Sequence, residues 1–582
     1  MLQGFAKHRS RTSTVIALIL IAAVCAGYQL SRLAFSPVPW PDGSAFYLPG
    51  VEMFSWPPLW RMHAQAAFVP SYDSANFNTM PGLPFMLGLA SRLGLTELFG
   101  AVQSTRFVSW IALWLWAYLL WDWLDAELTR PRSSRPSGAL RREDPSLPLV
   151  PEPGARRFAA LAATAIGAAG LLDPVNRWGT NVVRTETWIA LAWIYLLREI
   201  WRFPVGAPSP QSSRALWRIA GGLAFAAYFH FEAIILVPAV FVAFLLPGMR
   251  PFRSLPGIAW RTVVWLSPWL YYVISRWSFF LDQMAVQFNR LEQGNHYFEN
   301  AYLIFHNLFI SHGSPVSWPK FFNVGKGFFW LELLLCVLGT LIVTVKSRGI
   351  RRPELAAIWG AALTFVVSYY LWMTKPEVWF ITLCHLMIWP WAGTLALAAH
   401  QLWRPRAAVI SVVGLAGAYA AISAFAHVAQ DVAIPRNYDW ATYTRWIDCI
   451  EQSFPAAPTR TALRIWQPHV PDVLIELEHR GRGKDGIKNR YDLTRALDFQ
   501  SQQKLAVELA HRTDVVLLTR SMNRPLLDPD YVGPPRAEDW TLMKDVVEVP
   551  FGPLITENAR NREMRICQVG PFWANVAVRK PR

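Results

Sequence analysis

Charged side chains lie in groups where the apolar segments of this chain end. Arg184 and Glu186 precede one apolar segment, His230 and Glu232 separate two others, and Lys375 stands at a further boundary. Arginine, lysine and histidine are cations that bind phosphate, whereas a carboxylate beside a hydroxyl group can act as a general base. If these boundaries share one side of the molecule, they favour a polar chamber in which a phosphate-linked group is transferred.

The apolar segments that position these residues are long enough to cross a bilayer. Of 582 residues, 53% are hydrophobic and 16% are charged, whereas a soluble domain carries about 25% charged residues. A spanning helix needs about 20 mostly apolar residues, and the 30 tryptophans suit membrane interfaces. We predict a mostly α polytopic membrane protein with about eleven transmembrane helices. The predicted helices lie near 14–34, 101–124, 158–173, 184–202, 216–230, 232–247, 260–277, 327–346, 354–373, 378–398 and 407–426.

The basic residues predict how these helices are oriented. Lysine and arginine concentrate in alternate connections, such as 130–157 and 346–352, which identifies those connections as cytoplasmic. These connections, rather than nucleic-acid binding, account for the net charge of +16. The first apolar segment is interpreted as an uncleaved helix with a cytoplasmic N-terminus, since no small-residue cleavage site closely follows it. An odd number of crossings then places the C-terminal residues outside.

Two domains are predicted, because the apolar segments end near residue 426 and a more polar sequence follows. Residues 1–426 form the membrane domain, with long outer loops at about 35–100 and 278–326. Residues 427–582 alternate between helix and strand patterns, which predicts an exported α/β domain. All the charged boundaries described above fall on the outer face in this arrangement.

The cysteines and the absence of known binding motifs indicate which other sites can be expected: a disulfide bond or two free thiols, but no nucleotide or metal site. Cys449 and Cys567 belong to the exported domain, where either a disulfide bond or two buried free thiols is possible. The sequence contains no Walker A motif, no dinucleotide fingerprint and no metal-ligand spacing. We therefore predict no cofactor and no metal site.

The outer location restricts the donor in a transfer reaction. Nucleotide-activated sugars are scarce outside the cytoplasm, whereas a polyprenyl-phosphate sugar keeps its hydrocarbon tail in the bilayer. Its phosphate leaves as a stable anion when cations stabilise the developing charge. The predicted partners are this donor, membrane lipid and a hydroxyl-bearing acceptor of the cell envelope, with no nucleic acid.

Short motifs follow the same order as in a known family. They are Pro41-Asp42-Gly43-Ser44, Pro81-Gly82-Leu83-Pro84, Val183-Arg184-Thr185-Glu186, Gly222-Leu223-Ala224 with His230, and Lys375 to Pro390. In this order they resemble the GT-C glycosyltransferases, relatives of protein O-mannosyltransferases and of the lipid A aminoarabinose transferase. The resemblance covers roughly residues 14–400. It implies an inverting enzyme in a bacterial inner membrane, with the exported domain in the periplasm.

The resemblance also implies roles for individual residues. Asp42 is the expected general base, although its local pattern fits a helix N-cap equally well. Arg184, His230, Lys375 and Arg106 are the expected donor-phosphate ligands, and Glu186, Glu232, Asp73 and Tyr47 the expected sugar contacts. For each of them, a structural role at a helix end or in a turn is the alternative.

Two departures from the family leave the sugar open. Gly43 stands where many relatives have a second acidic residue, and Thr79-Met80 stands where the aminoarabinose enzyme has lysine before its proline. A secondary transporter is one alternative function, but it would need substrate groups near the bilayer midplane and commonly internal repeats. A membrane-anchored exported sensor or scaffold is the other, and it would not require about eleven helices.

Overall fold

The computed structural model covers much of residues 1–426, the predicted membrane domain, and parts of residues 427–582, the predicted exported domain. It describes residues 19, 42–61, 74–77, 79–128, 153–173, 176, 184–204, 209–246, 249, 251–292, 320–346, 350–372, 378–402, 414, 416–422, 440–453, 460–465, 476, 487–492, 515–521, 562–570 and 572–579. The predicted first helix, at 14–34, lies outside these residues except for Ile19.

The described part of the membrane domain is helical. Three short helices come first: α1 (Asp42–Met53), α2 (Gly82–Arg92) and α3 (Leu95–Phe99). The longer helices are α4 (Ala101–Leu128), α5 (Pro153–Leu172), α6 (Glu186–Trp201), α7 (Pro210–Phe229), α8 (Leu236–Leu245), α9 (Pro251–Ser275), α10 (Trp277–Glu292), α11 (Lys320–Val345), α12 (Arg352–Trp372) and α13 (Val378–Leu402). A 3-10 turn over Phe231–Ile235 joins α7 to α8, and residues 416–422 are also helical.

Helix α6 lies at the centre of the bundle and packs against α4, α7, α12 and α13. Its Trp193 and Trp201 are fully buried, as are Trp116, Trp121 and Trp123 of α4. Large rigid rings bury much apolar area for little lost side-chain entropy, so these tryptophans dominate the packing of the core.

The outward faces of several helices are apolar. Val263 and Ile274 of α9 and Leu334 and Val345 of α11 are each more than half exposed. A soluble monomer rarely exposes contiguous apolar surface on this scale. The faces therefore suit hydrocarbon as the surrounding solvent.

The helices coincide with most of the predicted spans. Helices α4 to α9 and α11 to α13 correspond to the predictions from 101–124 to 378–398, and residues 416–422 fall within the last. Within the described residues, α4 is long and apolar enough on its own to cross a membrane. The segments Leu161–Leu172, Ala233–Leu245 and Leu331–Val345 are shorter apolar helices.

The two predicted outer loops contain helices. Helices α1 and α2 pack face to face, and their backbones approach closely. A Cβ atom on Gly50 would collide with the carbonyl oxygen of Pro84, and a Cβ atom on Gly88 would collide with the carbonyl oxygen of Gly50. Only glycine permits this approach. In the second loop, residues 277–292 form α10, which was not predicted from the sequence.

The exported domain contains a mixed five-stranded sheet and one described helix, α14 (Trp440–Gln452). The strands are β1 (Arg460–Ile465), β2 (Ile487–Asp492), β3 (Val515–Ser521), β4 (Arg562–Val569) and β5 (Phe572–Arg579), in the order β2-β1-β3-β5-β4. β1 pairs in parallel with β2 and β3, whereas β5 pairs antiparallel with β3 and β4. Tyr443, Trp446 and Ile450 of α14 pack on β5 to form the core of this domain. The described strands and α14 together form an α/β arrangement.

A disulfide bond joins Cys449 of α14 to Cys567 of β4. The two residues are 118 positions apart in sequence. Cross-linking positions so distant removes much conformational freedom from the unfolded chain. The bond therefore holds α14 on the edge of the sheet.

Replacing both cysteines by serine is expected to lower the stability of the exported domain by about 2–5 kcal/mol. Thermal unfolding of the purified full-length protein measures the change. A reductant should lower the midpoint of the wild type to that of Cys449→Ser/Cys567→Ser and leave the variant unchanged. Equal midpoints for the oxidised wild type and the variant would contradict a stabilising role.

The exported domain contacts the membrane domain at the start of α4. Glu476 accepts hydrogen bonds from the backbone N–H groups of Ala101 and Val102, at 3.1 and 3.3 Å. Gly100 has a φ of 80°, and a Cβ atom there would lie 3.0 Å from the ring of Trp440. A carboxylate is favourable at a helix N-terminus because it satisfies N–H groups that lack partners within the helix.

Candidate functional site

One buried apolar cluster joins the first outer loop to three helices of the bundle. We call it the outer cluster. It consists of Phe46, Tyr47, Leu83, Leu87, Ala90, Ala101, Val102, Val108, Ala112, Trp188 and Phe229. These residues come from α1, α2, α4, α6 and α7. The segments that carry Asp42, Arg106, Glu186 and His230 all meet here.

The contact between α6 and α7 is made by two stacked rings. Trp188 and Phe229 lie 4.7 Å apart between centroids, with an angle of 10° between their planes. The start of α2 rests on the same end of α7, since a Cβ atom on Gly82 would lie 2.7 Å from the carbonyl oxygen of Tyr228. His230 follows Phe229 directly, so this packing fixes the backbone that carries it.

Arg184 and Glu186 form an ion pair at the start of α6. The Arg184 Nε–H donates to Glu186 Oε1 at 2.6 Å, and the two side chains are 13% and 3% exposed. A buried ion pair is stable only when its geometry compensates for the loss of hydration. The pair lies two residues before Trp188 and so borders the outer cluster.

Arg106 and His230 are the other predicted phosphate ligands that the structure places. Arg106 is buried on α4, four residues after Val102 of the outer cluster. His230 is the C-cap of α7, with extended backbone, and its N–H donates to the Ala226 carbonyl at 3.2 Å. A buried arginine is rare unless its charge is compensated.

The remaining predicted residues are placed only in part. Tyr47 is fully buried within the outer cluster. Asp42 is the first residue of α1, one helical turn before Phe46, and Glu232 lies in the 3-10 turn after His230. Lys375 and Asp73 lie outside the described residues.

The two outer loops meet at a short segment of the first. Gln283 of α10 is fully buried, accepts from the Phe77 N–H at 2.7 Å and donates to the Ala75 carbonyl at 3.0 Å. Trp60 Nε1–H donates to the Asn76 carbonyl at 2.7 Å. These bonds hold residues 75–77 directly before the Met80-Pro81-Gly82 entry into α2.

Replacing Gln283 by alanine is expected to loosen this segment, because two buried backbone groups lose their partner. Each unsatisfied group costs about 1–3 kcal/mol. Limited proteolysis of the first outer loop should become about 30-fold faster or more, since cleavage follows the free energy of local opening. Leu281→Ala, at a half-exposed position of the same helix, is the control and should leave the rate unchanged. Equal proteolysis rates for wild type and Gln283→Ala would contradict the view that Gln283 holds residues 75–77 in place.

A second buried polar group was missed by sequence analysis. Asp173 Oδ2 lies 3.1 Å from His385 Nδ1 and accepts from the Tyr419 hydroxyl at 2.6 Å. Its Oδ1 accepts from the Asn176 N–H at 3.2 Å. Glu332 of α11 is also buried. Ionisable residues inside a membrane bundle are costly and commonly functional.

No family model matches the sequence, and no curated protein sequence matches it significantly. Solved structures do match. The crystal structure of ArnT from Cupriavidus metallidurans bound to undecaprenyl phosphate aligns with a TM-score of 0.50 and 13% identity, covering 98% of this chain and 100% of that one. The apo state of the same protein aligns with a TM-score of 0.51, the same identity and the same coverage.

The chain has the ArnT fold. ArnT, the lipid A aminoarabinose transferase, is a GT-C protein, so the predicted GT-C resemblance is confirmed at the level of the fold. The alignment with ArnT runs through both the bundle and the exported domain, since it leaves out 2% of this chain. A third solved structure is that of an archaeal oligosaccharyltransferase, AglB from Archaeoglobus fulgidus, in complex with an inhibitory peptide and a dolichol-phosphate. The alignment covers 87% of this chain and 69% of AglB. The sequence identity is 13% and the TM-score is 0.44.

Proposed function

We propose that this protein is a membrane glycosyltransferase that moves a sugar from a polyprenyl-phosphate donor to an acceptor hydroxyl. The ArnT fold over 98% of the chain carries the proposal. The matched ArnT structure is bound to undecaprenyl phosphate, a lipid of the chemical class that the clustered cations of this chain suit. The outer cluster supports the proposal further, because it gathers at one end of the bundle the segments that bear the predicted base and cations.

The proposed reaction is an inverting displacement. The acceptor oxygen attacks the anomeric carbon while the bond from that carbon to the phosphate oxygen breaks. The departing polyprenyl phosphate keeps the bonding electron pair, and Asp42 takes the proton of the hydroxyl group. Arg184, His230, Lys375 and Arg106 stabilise the negative charge that develops on the phosphate.

The remaining predicted residues contact the sugars. Glu186, Glu232, Asp73 and Tyr47 are proposed to bind donor or acceptor hydroxyl groups. Arg184 Nε donates to Glu186, and this contact is proposed to orient the guanidinium toward the phosphate.

The donor sugar is proposed to differ from aminoarabinose. Thr79 stands where the aminoarabinose enzyme has lysine, and its hydroxyl accepts from the Asn76 side-chain amide at 2.7 Å. Thr79 is 5% exposed, so this position supplies a buried hydrogen bond rather than a cation.

The proposed setting is a bacterial inner membrane. About eleven helices cross it, with the N-terminus in the cytoplasm and residues 427–582 in the periplasm. The apolar outward faces of α9 and α11 support a bilayer environment. The exported domain is proposed to shape the acceptor side of the chamber.

Transfer by the purified full-length protein in liposomes tests the function. Polyprenyl phosphates that carry different sugars are supplied with envelope glycans, lipids or peptides, and the release of polyprenyl phosphate is measured. Acceptor-dependent release from at least one donor is the expected result. Failure of every such lipid to bind would contradict the enzyme assignment, and solute uptake into the liposomes without release would favour a transporter.

A further inference from the structure

A cavity with a mixed apolar and polar lining lies at the opposite end of α7 from His230. The helix has 20 residues, which separates its two ends by about 30 Å. The cavity has a volume of about 450 Å³ and is formed between the starts of α7 and α9. Its polar lining consists of Ser209, Ser212, Ser213, Arg253, Ser254 and Arg261.

Arg261 is held rigidly at the wall of this cavity. Its Nη1–H donates to the Gly257 carbonyl at 2.8 Å, and its Nη2–H donates to the Ser213 hydroxyl at 3.2 Å. The guanidinium lies 4.4 Å from the centroid of the Trp260 ring and 5.3 Å from that of Trp217. Arginine stacked on indole rings keeps its full charge and loses little entropy when it binds a ligand.

The cavity favours an anion. Two arginines line it, and among the described lining residues none is Asp or Glu. The Arg261 Nε atom is buried and has no hydrogen-bond partner among the described residues. The start of α7, which has Ser209 as its N-cap, adds partial positive charge because the peptide dipoles of the helix point their positive ends toward it. A phosphate oxygen would offer the acceptors that these donors need.

The surroundings of the cavity indicate a lipid source for that phosphate. Trp260 lines the cavity and is 49% exposed, and Val263 and Val264, on the next turn of α9, are similarly exposed. Tryptophan is enriched where hydrocarbon meets headgroups. A phosphate bound at Arg261 would therefore have its acyl chains beside an apolar face.

We infer that this cavity binds the phosphate group of an anionic phospholipid, at the face of the bundle opposite the proposed active site. The phosphate contacts Arg261 and Arg253, and the acyl chains follow α9. The Ser213 hydroxyl, which accepts from Arg261, supplies a neutral hydrogen bond. Under the proposed topology this is the cytoplasmic leaflet. Such a lipid would bind whether or not the protein transfers sugars.

Native mass spectrometry of the detergent-purified full-length protein tests this site. Dioctanoyl phosphatidylglycerol, dioctanoyl phosphatidylcholine and inorganic phosphate are titrated separately, and a Kd is obtained for each. Phosphatidylglycerol should bind about tenfold more tightly than the other two, because it alone combines a net negative charge with acyl chains. Inorganic phosphate that binds as tightly would identify a soluble anion and overturn the lipid assignment.

Three substitutions locate the binding. Arg261→Gln should weaken phosphatidylglycerol binding about tenfold. Arg253→Gln, at an exposed position that tolerates substitution, should weaken it several-fold even if Arg261→Gln fails to fold. Arg214→Gln removes an exposed charge from the same end of α7, outside the cavity lining, and should change the Kd less than twofold. Equal effects of Arg214→Gln and Arg253→Gln would show that general surface charge, rather than this cavity, holds the lipid.

Discussion

Asp42→Asn is expected to lower the rate of sugar transfer about 10²- to 10⁴-fold. The amide cannot take the proton of the acceptor hydroxyl, whereas it has nearly the same shape as the carboxylate. Asparagine is also as good a helix N-cap as aspartate, so the start of α1 should be preserved. Single-turnover release of polyprenyl phosphate, measured at saturating donor, separates this loss from any change in donor affinity.

The matched control is Glu52→Gln. Glu52 lies near the other end of α1 and forms an ion pair with Arg61 at 3.2 Å. This variant removes one carboxylate from the same helix and should keep the transfer rate within about threefold, because partly exposed pairs contribute little. If Asp42→Asn retained the full rate, Asp42 would have a structural role at the start of α1 and another residue would be the base.

Arg184→Ala is expected to reduce both folding stability and donor binding. It leaves the buried Glu186 carboxylate without its ion-pair partner, which costs about 3–5 kcal/mol. Arg184→Ala/Glu186→Ala removes both charges and should recover part of this loss, since no buried charge is then left unpaired, while the space left by the two side chains still costs stability. Denaturation midpoints and the KM for the donor are measured for both variants.

The double variant distinguishes a structural role from a functional one. If the Arg184–Glu186 pair contacts the substrates, Arg184→Ala/Glu186→Ala regains stability but still transfers sugar poorly. Arg202→Ala is the control at the other end of α6, where Arg202 pairs with Glu127 at 2.7 Å. It should leave the donor KM unchanged. Recovery of transfer in the double variant would assign both Arg184 and Glu186 to structure alone.

Much of the helical fold could be predicted from the sequence because membrane spans are local features. Length and apolarity decide whether a segment crosses a bilayer, and neither depends on the neighbouring helices. Helix α10 was missed because its pattern is only locally amphipathic within a long loop. Its position depends on Gln283, whose two partners lie more than 200 residues earlier in the chain.

Among the strands, too, some can be predicted from their own residues, whereas others depend on contacts with residues far away in the sequence. In β5, Phe572, Ala574, Val576 and Val578 are buried at alternate positions, a period that could have been recognised. In contrast, β2 consists mostly of polar residues and joins the sheet through its parallel pairing with β1. Such pairing cannot be predicted from the residues of the strand alone.

The candidate site could be predicted only as a set of helix ends. The motifs identified Arg184, Glu186 and His230 individually, whereas the outer cluster that joins their helices depends on tertiary packing. Asp173 was missed because no local pattern distinguishes it from a helix C-terminus. Its partners His385 and Tyr419 lie 212 and 246 residues away.

The contact made by Glu476 constrains how this protein can be recombined with its relatives. The carboxylate of Glu476, in the predicted exported domain, accepts hydrogen bonds from the first two backbone N–H groups of α4. Helix α4 is also the helix that carries Arg106. A chimera that inherits an exported domain without an acidic side chain at this place would leave two amides unsatisfied at that helix end. A recombined protein should therefore keep this contact when the acidic residue, Trp440 and the facing Gly100 are inherited together.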